Sequence, residues 1–383
     1  MKALVYVQHL LGIGHLARVS RIAAALAEAG IDVTLVSGGA PVAGFPKAQV
    51  KLVQLPPIRA RDASFSELID AEGNPLSDAF KALRRDRLLT AFETAQPDVL
   101  ITEAFPFGRR QMRFELIPLL EQAKARPHPP IIASSVRDIL QDNRKPGRAE
   151  ETVHVVEQFF DLVLVHGDPG FARLEDTFPL ARQIAERVVH TGLVAGEAGA
   201  TPDRFDVVVS AGGGVAGRKL IQAAAAAAPR LMERWPDWCI ITGPNFPKTE
   251  QAALAARLPA GVKLETFRPD FPGLLARASI SISQAGYNTV CDLLRARCRA
   301  VLIPFAEGGE TEQSERAGRL ERLGLAAIVT EDRLTPESLA QAMRAAPAPA
   351  SHRIDLAGAG QTARLLLARL AARGRAPSGS LKH

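Results

Sequence analysis

Two ionisable side chains and one acidic helix carry the residue types best suited to chemistry in this chain. His15 follows Gly12, Ile13 and Gly14 at the mouth of a helix, where an imidazole of ordinary pKa (~6.5) can take or hold a proton near neutral pH. A histidine in that position can also cap the helix or bind phosphate, and the sequence leaves both readings open. Glu103 is the competing proton acceptor. It follows the apolar run Val99 to Thr102 and precedes Phe105 and Pro106, surroundings that would raise its pKa by desolvation. Pairing with Arg109 or Arg110 is the alternative.

The acidic helix lies in the stretch from Ser281 to Ala327. Ser283, Ala285 and Gly286 have side chains small enough for a bulky anion to reach the first turn of the helix that follows, whose free N–H groups attract phosphate. Asp292 comes about one turn into that helix. Its carboxylate could accept both hydroxyls of a ribose, or it is a solvated helix acid. Glu312 and Gln313 open the next helix, with polar ends suited to sugar hydroxyls; a capping arrangement with Thr311 is the other reading.

These groups need a scaffold that brings loop ends together. Short apolar runs alternate with amphipathic helices from Lys2 onward, the signature of parallel strands joined by helical crossovers. The polar, Gly-rich break GEAGATPD, residues 196–203, interrupts the alternation, which then restarts at Asp206. The expected fold class is therefore α/β, with two doubly wound Rossmann-like domains facing across a cleft. Residues 1–195 form the first domain and 205–350 the second; 351–374 hold a final helix packing back on the first, and 375–383 are a disordered tail. The segment from Arg59 to Asp78 reads as a long loop or lid. Ligands of such sheets gather at the carboxyl ends of the strands.

Composition narrows the partners. The chain has 383 residues, 47% apolar and 23% charged, enough for two full cores. The formal charge of +6 favours an anionic partner, but only 5% of residues are aromatic, and no basic run is interleaved with aromatics, so nucleic acid is not expected. Cys239, Cys291 and Cys298 have no metal-ligand spacing and read as reduced thiols of a cytoplasmic protein. The start MKALVYVQHL runs straight into a strand, without the regions of a leader. No apolar run reaches the ~20 residues that span a bilayer.

The pattern Ser283, Gly286, Thr289, Asp292, then Pro304 and Phe305, then Glu312 and Gln313 resembles the donor-binding signature of glycosyltransferase family 28. Asp292 stands where that family usually has Glu, and Glu312 where it often has Gln. The N-terminal half resembles it weakly, though the start Gly12, Gly14, His15 and Arg18 is similar to that of predicted bacterial glycosyltransferases. The resemblance implies the two-domain arrangement called GT-B. It also implies an inverting, metal-independent transfer of N-acetylglucosamine or a related hexose from a UDP-sugar to a lipid-linked or glycan acceptor, by a cytoplasmic protein at the inner face of the membrane. The donor would meet Gly212, Gly213 and Gly214 through its diphosphate, Phe267 and Arg268 through its base, and Ser283, Gly286, Thr289, Asp292, Glu312 and Gln313 elsewhere. Gly12 and Gly14 would lie on the acceptor side.

Both glycine loops fit G-x-G-x-x-[GA], yet neither following strand ends in the acid that a dinucleotide requires, so NAD is not expected. No cofactor is expected beyond the UDP-sugar substrate. Metal is not expected either, since the chain has no D-x-D pair and no paired His ligands; helix amino termini would stabilise the leaving group. Arg109 and Arg110 would grip an acceptor phosphate, while His15 or Glu103 removes the hydroxyl proton. Phe105, Phe107, Met112 and Phe114 beside these arginines suit a peripheral contact with an anionic membrane, or are core residues behind a solvated face. A UDP-sugar epimerase and a non-catalytic nucleotide-sugar-binding protein are the alternatives.

Overall fold

The computed structural model describes residues 1–10, 12–46, 49–61, 67–141, 146–212, 217–243 and 246–375. Lys2–Val7 (β1) is a strand buried on both faces, from Ala3 to Val7, as in parallel sheets covered by helices. Gly14–Glu28 (α1) leads to Asp32–Ser37 (β2), and Lys51–Gln54 (β3) takes the edge beside it. A ribbon of Arg59–Ala60 (β4) and Leu68–Ile69 (β5) and the helix Asp78–Ala95 (α2) carry the chain to Val99–Glu103 (β6), on the opposite side of β1. Arg113–Lys124 (α3), Ile131–Arg137 (β7), Arg148–Phe159 (α4), Leu162–His166 (β8) and Val188–His190 (β9) complete the unit. Its seven parallel strands run in the order β3-β2-β1-β6-β7-β8-β9.

The second unit repeats the plan. Val207–Ser210 (β10), Arg218–Ala227 (α5), Trp238–Ile241 (β11), Lys248–Ala255 (α6), Val262–Glu265 (β12) and Phe271–Arg277 (α7) come first. Ile280–Ser283 (β13), Tyr287–Ala296 (α8), Ala300–Leu302 (β14), Glu312–Arg322 (α9), Ala327–Ile328 (β15) and Pro336–Ala345 (α10) follow. The sheet order is β12-β11-β10-β13-β14-β15, again parallel. The order in which strands are added reverses beside β1 in one sheet and beside β10 in the other. Those two switch points are where ligands of open α/β sheets bind.

After α10 the chain returns to the first unit. Leu193 N–H donates to Asp355 O (2.8 Å) and Gly358 N–H to Leu193 O (3.0 Å). Gly358–Arg375 (α11) then packs Ala363 and Leu366 against α1, and Arg373 reaches Pro129 O and Asp161. The leucines of the last helix thus face protein. Of residues 375–383, read from sequence as a disordered tail, Arg375 is the last residue of α11 and 376–383 lie outside the described residues.

Several elements differ from the sequence reading. The segment 59–78 contains the β4/β5 ribbon, with Ile69 also bridged to Pro75; residues 62–66 of the expected lid are outside the described set. The helix at Arg218 becomes a 3-10 turn at Ala228–Arg230, because Pro229 lacks the N–H a helix needs. Helices α6 and α7 give little signal, α6 burying only Leu254. Glu103 is the last residue of β6 rather than a loop residue.

Candidate active site

At the first switch point, the loop after β1 and the end of β6 bring His15 and Glu103 together. His15 Nδ1 lies 2.6 Å from Glu103 Oε1, so the two expected rivals form one pair. Glu103 is fully buried while the His15 side chain keeps 18% exposure, so the ring is the accessible end. Arg18, one turn along α1, donates to the same Oε1. Burial alone would raise the Glu103 carboxyl, but His15, Arg18 and Arg109 outweigh it and hold the group below its usual value. This reverses the sequence expectation, which lacked Arg18. Burial drives the His15 imidazole down to about 3 against the pull of Glu103, with Arg109 and Arg137 adding to the depression. At neutral pH the pair is a carboxylate beside a neutral ring. An ionised carboxylate only accepts hydrogen bonds, so Nδ1 carries the proton and Nε2 the free lone pair.

Arg109 and Arg110 diverge. Arg109 has a left-handed backbone, φ 57°, its Nε donates to Gln8 O (2.7 Å), and the charges that act on it are Glu103, Arg137, Tyr6 and Arg18. Arg110 turns away: it pairs with Glu151 and donates to Arg148 O and to Thr152 Oγ1 (3.0 Å). Arg110 thus points to α4 rather than to the His15–Glu103 pair. Phe105 and Met112 are core residues and Phe107 stacks edge-on to Phe178 (5.1 Å), so this stretch is not an apolar surface.

The second switch point holds the loops around β10 and β13. Helix α5 begins after Gly217 without a side-chain cap or an acid in its first turn, and α8 begins likewise after Gly286, leaving N–H groups available to an anion. Gly212 has φ +70°, and a Cβ on Gly217 would stand 2.0 Å from Ala211 Cβ, so the loop needs glycine at both positions. Gly213 and Gly214 lie outside the described residues. A Cβ at Gly286 would meet nothing within 4 Å. Among the described residues, Ser283 Oγ, Gln284 Nε2 and Asn288 Oδ1 are buried without a hydrogen-bond partner. Buried polar atoms are normally satisfied, so this trio marks a place for a polar ligand. Gln284 was missed from sequence because it occupies a variable position of the signature. Thr289 is half-buried on α8, and Gln313 Oε1 accepts from Phe305 N–H (3.2 Å), fixing the loop after β14.

The remaining signature residues face the first unit. Asp292 is 4% exposed, with Oδ2 held by Arg21 (3.0 Å) and Oδ1 by Gly196 N–H (2.9 Å). Asp292 is thus a buried, paired carboxylate rather than a solvated helix acid, and each oxygen, with one donor, keeps a lone pair for a second. Glu312 pairs with Arg137 (2.6 Å) and Arg316 (2.7 Å), and Thr311 makes no side-chain cap, so the capping pair read from sequence is not formed. Arg268 is bound to Asp203 (2.8 Å) and Asp270 (2.7 Å), while Phe267 is 47% exposed beside it. Gly14 O accepts from Asn288 Nδ2 (2.8 Å), so the loop before α1 meets the start of α8. Gly12 is half-buried in the same loop.

The two switch points are held together by a largely buried seam. Arg316 and Asp138, both fully buried, pair through Nη2 (2.6 Å) and Nε (3.0 Å). Arg319 reaches Phe171 O (2.7 Å) and Asp176 (3.0 Å). Tyr287 OH donates to His166 O (2.8 Å) and accepts from Val194 N–H (2.9 Å). Its ring lies between the guanidinium groups of Arg18 and Arg316, 5.3 and 5.7 Å from the centroid. Among the described residues, no group of three or more His, Cys, Asp or Glu side chains could hold a metal ion. No described helix is long and apolar enough to cross a membrane.

Residues 207–362 match the glycosyltransferase family 28 C-terminal domain. Among curated relatives, the UDP-N-acetylglucosamine--N-acetylmuramyl-(pentapeptide) pyrophosphoryl-undecaprenol N-acetylglucosamine transferase of Opitutus terrae is 29% identical over 199 residues, 49% of this chain and 51% of the relative. The enzyme of the same name from Rhodopseudomonas palustris is 32% identical over 111 residues, 29% of this chain and 30% of the relative. The chain thus spans about half or less of the length of these relatives. Two solved structures align over nearly the whole chain. The calicheamicin glycosyltransferase CalG4 gives a TM-score of 0.63 at 18% identity, covering 98% of this chain and 99% of that one. MurG of Acinetobacter baumannii gives 0.55 at 17%, covering 98% and 95%. The fold of this chain is the GT-B arrangement of these glycosyltransferases.

Proposed function

We propose that this chain, whose residues 207–362 match the C-terminal domain of glycosyltransferase family 28, transfers a sugar from a UDP-activated donor to a hydroxyl of a lipid-linked or glycan acceptor, with inversion and without a metal ion. The observation that carries this reading is the His15–Glu103 pair at one switch point, opposite the uncapped helix starts and unpartnered Ser283 and Gln284 at the other. As the acceptor oxygen bonds to the anomeric carbon, the bond from that carbon to the diphosphate oxygen breaks on the opposite face. The hydroxyl proton passes to His15 Nε2, and Glu103 stabilises the imidazolium that forms. UDP leaves with the bonding electrons and is held by the N–H groups that open α5 and α8, with Ser283, Gln284 and Thr289 beside them.

N-acetylglucosamine as the sugar and a lipid-linked acceptor rest on the names of the curated relatives, and work at a membrane face follows from a lipid-linked acceptor. Titration calorimetry with uridine, thymidine, guanosine and adenosine diphosphates tests the donor. The expected result is binding of UDP in preference to the others, weakened by Gln284→Ala; no uridine nucleotide binding would overturn the assignment. Conversion of a UDP-sugar without acceptor would indicate an epimerase, and binding without turnover a silent receptor.

A further inference from the structure

We propose that Tyr287 is a positioning residue that transmits the seating of the second unit to the His15–Glu103 pair through the ring face it presents to Arg18. This rests on the reading of that pair as the base. Tyr287 is the first residue of α8, directly after Gly286, yet its polar contacts are with the first unit: His166 O at the end of β8 and Val194 N–H beyond β9. It is 4% exposed. The hydroxyl anchors the residue, and the ring does something separate.

Arg18 is 2% exposed, and among the described residues its polar partner is Glu103, while its Nε is buried with none. A guanidinium so poorly tied owes its position to the aromatic face 5.3 Å away, which attracts it electrostatically. Glu103 Oε1 is shared between Arg18 and His15 Nδ1, and Oε2 has no partner. If the ring withdraws, Arg18 drifts and the carboxylate has His15 as its nearest counter-charge. That favours imidazolium, which cannot accept the acceptor's proton. The other charges facing the pair are Arg109 and Arg137, and those facing Tyr287 are Arg316 and Asp138, with the Cys291 thiol beneath. Arg137 and Arg316 are already held by Glu312 and Asp138, and Arg109 is tied through Nε to Gln8 O, so Arg18 is the cation seated at Oε1.

The ring and the hydroxyl can be separated. Tyr287→Phe loses both hydrogen bonds and keeps the face; Tyr287→Leu loses both functions. The readout is the imidazole nitrogen spectrum of His15 between pH 8 and pH 4, assigned by its loss in His15→Gln. In the native protein His15 should be neutral with its proton on Nδ1 throughout. Tyr287→Phe should match it. In Tyr287→Leu, protonation of His15 should move up by roughly 1 to 3 pH units, the effect of disturbing a charge partner at this range. The buried His166 ring, between Ser135 and Thr191, reports in the same spectrum whether the fold is intact. Should Tyr287→Leu not fold, Arg18→Lys removes the planar group from the ring while leaving both Tyr287 hydrogen bonds, and should shift His15 in the same sense. An equal shift in the Phe and Leu variants, a shift in Phe alone, or no shift in a folded Leu or Lys variant would overturn the proposal. Full turnover by His15→Ala would instead overturn the base reading, whatever the spectra show.

Discussion

Replacing Arg316 by alanine should cost about 3–5 kcal/mol of stability, the usual consequence of removing one partner from a buried ion pair. Arg316 is fully buried and makes four hydrogen bonds: two to Asp138 (3.0 and 2.6 Å), one to Glu312 (2.7 Å) and one to Ala285 O (3.0 Å). Without it, Asp138 is left 0% exposed with only the Ile139 N–H at 2.8 Å. Glu312 still has Arg137, so the cost comes mainly from the stranded Asp138 charge. Urea unfolding followed by Trp235 and Trp238 fluorescence reads the second unit directly, since both residues lie in its core. Combining Arg316→Met with Asp138→Leu should recover most of the loss, because two apolar side chains need no counter-charge. A single alanine variant within about 0.5 kcal/mol of the native protein would mean that water reaches the seam, and the picture of two locked units would be wrong.

Asp292→Asn should lower stability by about 1–3 kcal/mol through its weakened bond to Arg21, measured by urea unfolding. UDP affinity should be unchanged by calorimetry, and a tenfold loss would point to the ribose contact. The pH dependence of stability has a defined sign at His15. Between pH 6.5 and about 3 the unfolded chain holds a proton there that the folded chain refuses, so stability falls as pH drops through that window. His15→Gln should flatten this slope in unfolding measured from pH 7 to pH 5. Burial pushes the Cys239 and Cys298 thiols up to about 12 and raises Cys291 further. None of the three should react with a thiol reagent at pH 8 until the protein is unfolded.

How far the sequence reached can be followed residue by residue. The alternation of apolar runs and helices gave both sheets, because strand and helix periods are local properties. His15 and Glu103 were each visible as chemistry, but their contact joins positions 88 apart, and no local pattern encodes it. Arg18 was visible as part of the glycine-rich start, but its pairing with Glu103, 85 positions away, was not, so the direction of the Glu103 shift was misread. Arg109 and Arg110 are neighbours in sequence, and the left-handed backbone at Arg109 sends them to different places. The signature residues Asp292 and Glu312 were found by motif, yet their partners Arg21 and Arg137 come from the other unit. Tyr287 occupies an unspecified position of that motif, and only packing against two arginines distinguishes it.

The most direct test is the rate of UDP release from UDP-N-acetylglucosamine in the presence of acceptor-containing bacterial membranes, native protein against His15→Ala. With His15 Nε2 as the proton acceptor, the variant should retain UDP affinity while kcat falls by about 10² to 10⁴. An unchanged kcat in a folded, UDP-binding variant would contradict the assignment of the His15–Glu103 pair as the base.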